Sequence, residues 1–386
     1  MLSPLPVSES PTPERNPTLD GIRGVAILMV ILWHQYALVP RPEWVRVVWP
    51  LECLAGIGWS GVQLFFVLSG FLIMQNLLRL LGAEGYYRQF FVRRAARILP
   101  PYFLCIATFW LVSGNMGPLP PALAGSNGIP FFHYFLLIQN YSIATHGIGG
   151  SWLAITWSLA VEVQFYLFFA PLVALCPTLS LERVLVLLAA LPPLLRYAIL
   201  EIDPTAGPWV ILSLPTRIDA FALGALVALR ISRGWKPAAW KCLLAGGIAL
   251  TVFVTTPNLL IHLPLSVRAI LQALHFSFAA IAGAAAITAT TTKAGKWISR
   301  PFTFRPLVWL GWTSYALYLF HEPVFHLTHW ALRGSTPALN SGAAALASLL
   351  ALGCLLLLVE FSRQFIERPF IAAGHRATER EKAPAV

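Results

Sequence analysis

The chain has 386 residues, of which 57% are hydrophobic and only 11% are charged, against roughly 25% charged residues in an average soluble domain. This composition is typical of a polytopic membrane protein, and it excludes a disordered chain, a coiled coil and a secreted disulfide scaffold. The net charge of +11 comes from 27 Lys and Arg against 16 Asp and Glu. Because cytoplasmic loops of membrane proteins are rich in basic residues, the excess indicates topology rather than a nucleic-acid partner.

Ten apolar stretches approach the length of about 20 residues that a membrane-spanning helix needs. The predicted fold class is therefore an all-α polytopic membrane protein. Residues 1–17 are predicted to form a disordered cytoplasmic tail, 18–370 the transmembrane domain, and 371–386 a basic cytoplasmic tail. The predicted spans cover about 19–39, 57–81, 98–114, 152–176, 184–201, 209–230, 241–257, 267–291, 307–330 and 342–366.

Basic residues orient these helices. With the N-terminus in the cytoplasm, 20 Lys and Arg fall on the inner side and 4 on the outer side, while three lie within or at the edges of helices. This asymmetry predicts that both termini are cytoplasmic. The longest outer connection, about 115–151, contains an apolar stretch from Ile129 to Ile138 that is too short to span. It is either an interfacial or re-entrant segment that covers a cavity or an ordinary surface loop.

The first predicted helix carries three ionisable residues, Asp20, Arg23 and His34. Eleven helical steps from Arg23 to His34 come within roughly 20° of whole turns, so the two share a face about 16 Å apart along the axis. Asp20 precedes Arg23 by three residues, which is close enough to orient it, and it is a candidate catalytic residue together with His34 and Glu162. Ionisable groups inside membrane helices usually line a cavity or pair with a partner. The alternative is a structural histidine that a neighbour satisfies.

The fourth predicted helix places Ser158, Glu162 and Tyr166 four residues apart, and therefore on one face. A glutamate in this position is predicted to hold His34 in one tautomer or to receive a proton itself. The alternative is that Glu162 only joins packed helices.

A basic run, FFVRRAARILPPY, follows the second predicted helix on the inner side. Arg93, Arg94 and Arg97 face similar directions if the third helix begins this early. Clustered arginines bind phosphates through bidentate hydrogen bonds, so the run is a candidate anion site. The alternative is the ordinary basic inner loop of a membrane protein.

The ninth predicted helix contains the segment TSYALYLFHEPVFHLTHW. His321 precedes Glu322 and Pro323, and the proline is predicted to kink the helix near the midplane. His321 is therefore a candidate to line a cavity. His326 and His329 lie further out. No compact set of acids or cysteines accompanies them, so no metal site is predicted.

Five segments together resemble the acyltransferase 3 family of membrane O-acyltransferases. They occur in the family order, and the resemblance covers about residues 18–370. Gln63 departs from the pattern, since many relatives carry an acid there. The segments are LDGIRGVAILMVILWH, GVQLFFVLSGFLI, RRAARILPPY, TWSLAVEVQFYL and SYALYLFHEP.

The resemblance implies transfer of an acyl group, usually acetyl, from acyl-CoA to a hydroxyl of a carbohydrate in a cell-surface polysaccharide or glycolipid precursor. It implies a bacterial inner-membrane enzyme of the stand-alone type, without an esterase-like domain and without a metal. It assigns the essential histidine to His34 with its paired Arg23, the donor site to Arg94 and Arg97, and the helix-four acid to Glu162. Further candidates to line the cavity are Gln63, Ser69, Trp157, Ser158, Tyr166 and His321.

Two questions remain open from the sequence. His34 is either a general base, since an imidazole titrates near neutrality, or a nucleophile that carries the acyl group. Buried His, Glu and Arg also occur in proton-coupled transporters of sugars or lipids, which form the alternative function. Transporters of that kind often show an internal repeat, and this sequence shows none.

Overall fold

The computed structural model describes residues 16–40, 52, 55–115, 129–147, 151–176, 178–260, 263–291 and 296–379. Most of the predicted N-terminal tail lies outside these residues. Every regular element in the described ranges is helical. In chain order they are α1 (Pro17–Leu32), α2 (Gly61–Leu80), α3 (Tyr86–Asn115), α4 (Phe131–Phe135), α5 (Gln139–His146), α6 (Trp157–Leu175), α7 (Thr178–Ile202), α8 (Gly207–Leu212), α9 (Leu214–Ser232), α10 (Ala239–Leu260), α11 (Leu265–Thr291), α12 (Lys296–Ser299), α13 (Arg305–Trp312), α14 (Ser314–Arg333), α15 (Gly342–Ser362) and α16 (Arg368–Glu379).

Within the described ranges, nine helical segments are long and apolar enough to cross a membrane, which confirms the all-α polytopic class. The ninth predicted span, 307–330, is not among these nine and is divided at Thr313 into α13 and α14. At 20 residues, α14 is about 30 Å long and can reach across a bilayer. Its histidines, glutamate and hydroxyl-bearing residues make it more polar than the nine. This polar helix supplies much of the candidate site.

The third and last spans are longer than predicted. Helix α3 begins at Tyr86 rather than near 98, so the basic run is helical and both Pro100 and Pro101 lie inside the helix. The predicted basic tail is helical up to Glu379, because α16 packs against the start of α3. The side chain of Arg93 donates from Nε to Thr378 Oγ1 at 3.0 Å. Residues 380–386 lie outside the described part.

Small residues let the central helices meet backbone to backbone. A Cβ atom on Gly24 of α1 would lie 2.0 Å from the carbonyl oxygen of Leu307 on α13. One on Gly224 of α9 would lie 2.0 Å from the carbonyl oxygen of Val67 on α2. No larger side chain fits at either contact, as is common where helices pack inside membranes. The two contacts fix α1 and α2 against the rest of the bundle.

The apolar stretch of the long outer connection is packed into the bundle. Ile129 and Tyr134 are 2% and 1% exposed. The Gln139 side chain donates from Nε2 to the backbone oxygen of Thr156 at 3.0 Å. The stretch therefore packs against the bundle on one face, whereas Phe132, Phe135 and Leu136 on the other are more than half exposed. None of its residues lines the cavity described below, so its covering role stays a prediction. Residues 116–128 and 148–150 of the connection lie outside the described part.

The two described chain ends lie at the same end of the bundle. Asp20, near the start of α1, accepts a hydrogen bond from Trp312 at the end of α13, and Arg23 and Arg97 line the same cavity. Helix α16 packs on the start of α3, which also carries Arg97. This arrangement requires an even number of crossings between the ends, as the basic-residue asymmetry predicts.

A reporter that is active only after export should be silent when fused after Arg368. We expect this because the predicted topology places 20 basic residues on the inner side and 4 on the outer side, so Arg368 lies inside. A fusion after Arg333, where α14 ends on the predicted outer side, is the matched control and should be active. Activity of the fusion after Arg368 would overturn the orientation.

Candidate active site

His34 lies in a π-helical turn, Trp33–Ala37, that continues α1. Its Nδ1 atom is 2.9 Å from the carbonyl oxygen of Val30. Because a carbonyl can only accept, Nδ1 carries the hydrogen, and Nε2 keeps a lone pair that can take up a proton. Single π turns in α-helices occur frequently at functional sites. The predicted outer end of α1 thus presents an imidazole in the form that a general base requires.

His321 of α14 faces His34. The ring centroids are 5.1 Å apart, and the ring planes are inclined at 60°. His321 is fully buried and donates from Nδ1 to the carbonyl oxygen of Tyr318 at 2.8 Å. Its Nε2 atom has no hydrogen-bond partner in the part of the chain that the structure describes. In both rings Nδ1 is therefore bound to a backbone carbonyl oxygen, and Nε2 is the nitrogen that can bind another group. The two rings lie side by side in one site.

The carboxylate beside this histidine pair belongs to Glu322. Gln35, the residue after His34, donates from Nε2 to Glu322 Oε1 at 2.8 Å. His326 Nε2 lies 3.2 Å from Glu322 Oε2. An acid held in this way can stabilise positive charge that develops on a neighbouring imidazole.

Pro323 follows Glu322 and has no backbone N–H, so the Leu319 carbonyl oxygen lacks its helical partner. The Cys105 thiol lies 3.6 Å from that oxygen.

A cavity of about 90 Å³ opens among α1, α2, α3, α6 and α14. Its wall holds three arginines, Arg23, Arg94 and Arg97, against one acid, Glu162. Excess positive charge with low-dielectric walls attracts anions. The Nε atom of Arg23 is buried without a hydrogen-bond partner among the described residues. The other lining residues are Val62, Phe65, Phe66, Ser69, Ile98, Ser158, Leu159, Tyr166, Ser314, Tyr315 and Tyr318.

Glu162 forms part of the cavity wall. Its carboxylate accepts hydrogen bonds from the Ser69 and Tyr166 hydroxyls. The Arg94 guanidinium lies 5.8 Å from the centroid of the Tyr166 ring. The predicted contact between Glu162 and His34 is not formed, because α14 supplies the acid beside that imidazole. The four-residue spacing in α6 correctly placed Tyr166 next to Glu162, since that relation is local.

Tyr318 connects the basic cavity with the histidine pair. It lines the cavity, and its hydroxyl donates to the Ile155 carbonyl oxygen at 2.6 Å and accepts from Ser158 Oγ at 2.6 Å. Its ring centroid lies 6.0 Å from that of His321. Tyr318 therefore contacts both the basic cavity and His321, which lies beside His34.

Two predicted site residues point elsewhere. Asp20 accepts from Trp312 Nε1 at 2.8 Å, and within the described chain no ion pair joins it to Arg23. No direct contact therefore orients Arg23 through Asp20, and a catalytic role of Asp20 stays a prediction. Arg93 contacts Thr378 on α16 and is absent from the cavity wall, because one helical step turns it about 100° away from Arg94.

Three predicted lining residues, Gln63, Trp157 and His321, are also absent from the wall of this cavity. Gln63 donates to the carbonyl oxygen of Phe276 at 2.9 Å and is fully buried. Trp157 packs edge to face on Phe66, with centroids 6.1 Å apart. Ser69, Ser158 and Tyr166 do line the cavity as predicted.

Sequence reasoning missed the role of α14 in the cavity. Ser314, Tyr315 and Tyr318 line it, and Glu322 reaches the imidazole pair. Their spacing was the available signal, because Ser314, Tyr318 and Glu322 recur every four residues and so share a face.

A second buried polar cluster ties α7, α9 and α11 together. Arg196 donates from Nη2 to Asp219 Oδ2 at 2.9 Å, and neither side chain is exposed. Ser277 Oγ donates to the same oxygen at 2.6 Å. None of the three residues lines the cavity. The cluster joins helices and lies apart from the candidate chemistry.

The family model described as an acyltransferase domain matches residues 16–360 of this chain. The peptidoglycan O-acetyltransferase OatA of Listeria monocytogenes is 27% identical over 93% of this chain and 56% of its own length. The putative peptidoglycan O-acetyltransferase YrhL of Bacillus subtilis is 28% identical over 94% of this chain and 56% of its own length. A putative O-acetyltransferase of Staphylococcus aureus is 25% identical over 94% and 58%.

The chain thus spans about half the length of these curated relatives. No solved structure matches it. The family match covers Arg23, His34, the arginines of α3 and the histidines of α14. From the matched length and the site that it encloses, the chain belongs to the acyltransferase 3 family of membrane proteins.

Proposed function

We propose that this chain transfers an acyl group from acyl-CoA to a hydroxyl of a carbohydrate acceptor, with acetyl as the main acyl group. The acceptor belongs to a cell-surface polysaccharide or its glycolipid precursor, and the enzyme works in the cytoplasmic membrane of a bacterium. One observation carries the proposal: Tyr318 lines a basic cavity that Arg23 also lines, and its ring contacts the imidazole pair to which His34 belongs. The names of the relatives support acetyl as the group and a carbohydrate as the acceptor.

The donor binds through its phosphates at the arginine end. Arg23, Arg94 and Arg97 face one cavity, and a guanidinium donates two parallel hydrogen bonds to a phosphate. Glu162 holds the Ser69 and Tyr166 hydroxyls in the wall and limits the excess charge. The helix places His34 about 16 Å from Arg23, which is comparable to an extended pantetheine arm. The thioester then reaches the histidine pair.

His34 acts as the general base in a direct transfer. Its Nε2 lone pair takes the proton of the acceptor hydroxyl while the hydroxyl oxygen attacks the thioester carbonyl. A carbon–oxygen bond forms, the carbon–sulfur bond breaks, and the CoA thiolate receives the proton from His34. Glu322 stabilises the imidazolium that forms in between. The reaction as proposed needs neither a metal nor a nucleic acid.

Purified protein in detergent should transfer labelled acetyl from acetyl-CoA to a glycan fragment without any ion gradient. Product formation is followed by mass spectrometry of the acceptor. A protein that moves sugar or lipid across vesicles, but forms no ester under any donor supply, would be a transporter instead. Mass spectrometry of cell-surface glycans with and without the protein identifies the acceptor.

Replacing Arg94 or Arg97 by Ala should weaken donor binding by roughly 10- to 100-fold, because each charge-assisted contact to phosphate contributes roughly 1.5–3 kcal/mol. The measurement compares KM for acetyl-CoA with KM for acetyl-pantetheine, which lacks the nucleotide phosphates. The loss should be small with the shorter donor.

Arg93→Ala is the matched control, since Arg93 contacts Thr378 and not the cavity. Equal losses with both donors would assign Arg94 and Arg97 to folding or topology rather than to phosphate binding.

A further inference from the structure

Three potential metal ligands converge at the imidazole end of the site. His34, His321 and Glu322 each offer one ligand atom, and these atoms lie within 4.8 Å of one another. They come from the end of α1 and from α14, so only the folded bundle brings them together. The Nε2 atom of His321 is buried and has no hydrogen-bond partner in the described ranges. A buried nitrogen with a free lone pair is costly unless a proton donor or a cation binds it.

The surroundings of these three groups match those of metal ligands. Histidines that bind metals usually donate their other ring nitrogen to a carbonyl or carboxylate, which fixes the ring. Here His34 donates from Nδ1 to Val30 and His321 donates from Nδ1 to Tyr318, so both direct Nε2 outward from the backbone. The carboxylate of Glu322 is held in turn by Gln35 and lies beside His326.

We propose that His34, His321 and Glu322 bind one divalent ion of the Zn²⁺ class, and that the bound ion blocks the general base. Two nitrogens and one carboxylate oxygen suit Zn²⁺, whereas Mg²⁺ and Ca²⁺ take oxygen ligands. Bonds of about 2.0–2.2 Å place tetrahedral ligand atoms about 3.3–3.6 Å apart. The present separations of up to 4.8 Å close by small side-chain adjustments. A fourth position stays open to water.

The blocking effect rests on the proposed function, whereas the binding itself does not. The ion occupies the same Nε2 lone pair of His34 that takes the acceptor proton. Metal and acceptor hydroxyl therefore compete at one atom, and the metal inhibits the transfer. The donor cavity around Arg94 and Arg97 contains none of the three ligands, so the ion leaves the phosphate contacts of acyl-CoA in place.

The test titrates metal-stripped, full-length protein in detergent with Co²⁺, a visible-light-absorbing substitute for Zn²⁺, and then displaces it with Zn²⁺. One equivalent should bind, with the absorption of a four-coordinate site. Glu322→Gln keeps the shape and the acceptor oxygen for Gln35 but removes the charge. It and His321→Ala should weaken binding by at least about 100-fold, and His326→Ala by roughly 10- to 100-fold, as for groups that orient a ligand.

His329→Ala is the matched control. His329 is a buried histidine of the same helix that pairs with Ser348, at 3.0 Å, and lies eight residues beyond His321. This variant should bind Co²⁺ as the parent does. Failure of the parent to bind, or undiminished binding by the isosteric Glu322→Gln, would overturn the site.

Zn²⁺ at the concentration that saturates the Co²⁺ site should reduce acetyl transfer at least tenfold, and a chelator should restore it. Full transfer by the Zn²⁺-loaded protein would overturn the blocking. The absorption measurement needs no enzymatic activity, so it decides the metal site even if the proposed transferase function fails.

Discussion

Replacing His34 by Ala should reduce acetyl transfer by at least about 100-fold, since a positioned general base typically contributes 10²- to 10⁴-fold. Its Nε2 is the nitrogen left free by the hydrogen bond from Nδ1 to Val30. His321 does not replace it, although the two ring centroids are 5.1 Å apart. The His321 ring is buried and is held by its hydrogen bond from Nδ1 to the Tyr318 carbonyl oxygen. The measurement is turnover of purified variants that reach the membrane at normal abundance.

Two further variants separate base catalysis from packing. His34→Gln retains a hydrogen-bonding side chain but cannot take up a proton at neutral pH, so it should be as inactive as His34→Ala. His329→Ala removes a buried imidazole that contacts Ser348 outside the site, and it should retain transfer. Normal turnover by a folded His34→Gln protein would show that His34 positions the acceptor and does not act as the base.

The parts of the site that lie on one helix were predictable from sequence. Arg23 and His34 share a face because eleven residues come close to three turns. Ser158, Glu162 and Tyr166 follow the four-residue rule, and all three line the cavity. In each case the relation depends on helical geometry alone, which spacing determines.

The parts that depend on packing between distant helices were not predictable in the same way. Two acids were available to approach His34, and the structure selects Glu322 rather than Glu162. The choice follows from the break at Thr313, which separates α13 from α14 and lets α13 pack along α1. The hydrophobic pattern of residues 307–330 predicts one apolar stretch and does not indicate the helix break at Thr313.

The last prediction concerns the helical phase between Arg23 and His34. One alanine inserted after Leu28, a residue that is 38% exposed, turns His34 by about 100° and shifts it by about 1.5 Å relative to Arg23. The contact of Gly24 with Leu307 precedes the insertion and keeps α1 against α13. His34 then leaves His321, while the arginine end is unchanged. Transfer should fall as far as in His34→Ala, although every functional side chain is still present.

A four-residue insertion at the same place tests distance separately from direction. It turns the helix by about 400°, which restores the face to within roughly 40°, but it adds about 6 Å. This variant should recover little activity, because a donor anchored by its phosphates no longer brings the thioester to the imidazole. One alanine inserted after Thr205, in the exposed turn between α7 and α8, is the control for insertion as such and should be active. Near-normal rates in the folded single-insertion variant would show that the shared face of Arg23 and His34 plays no part in transfer.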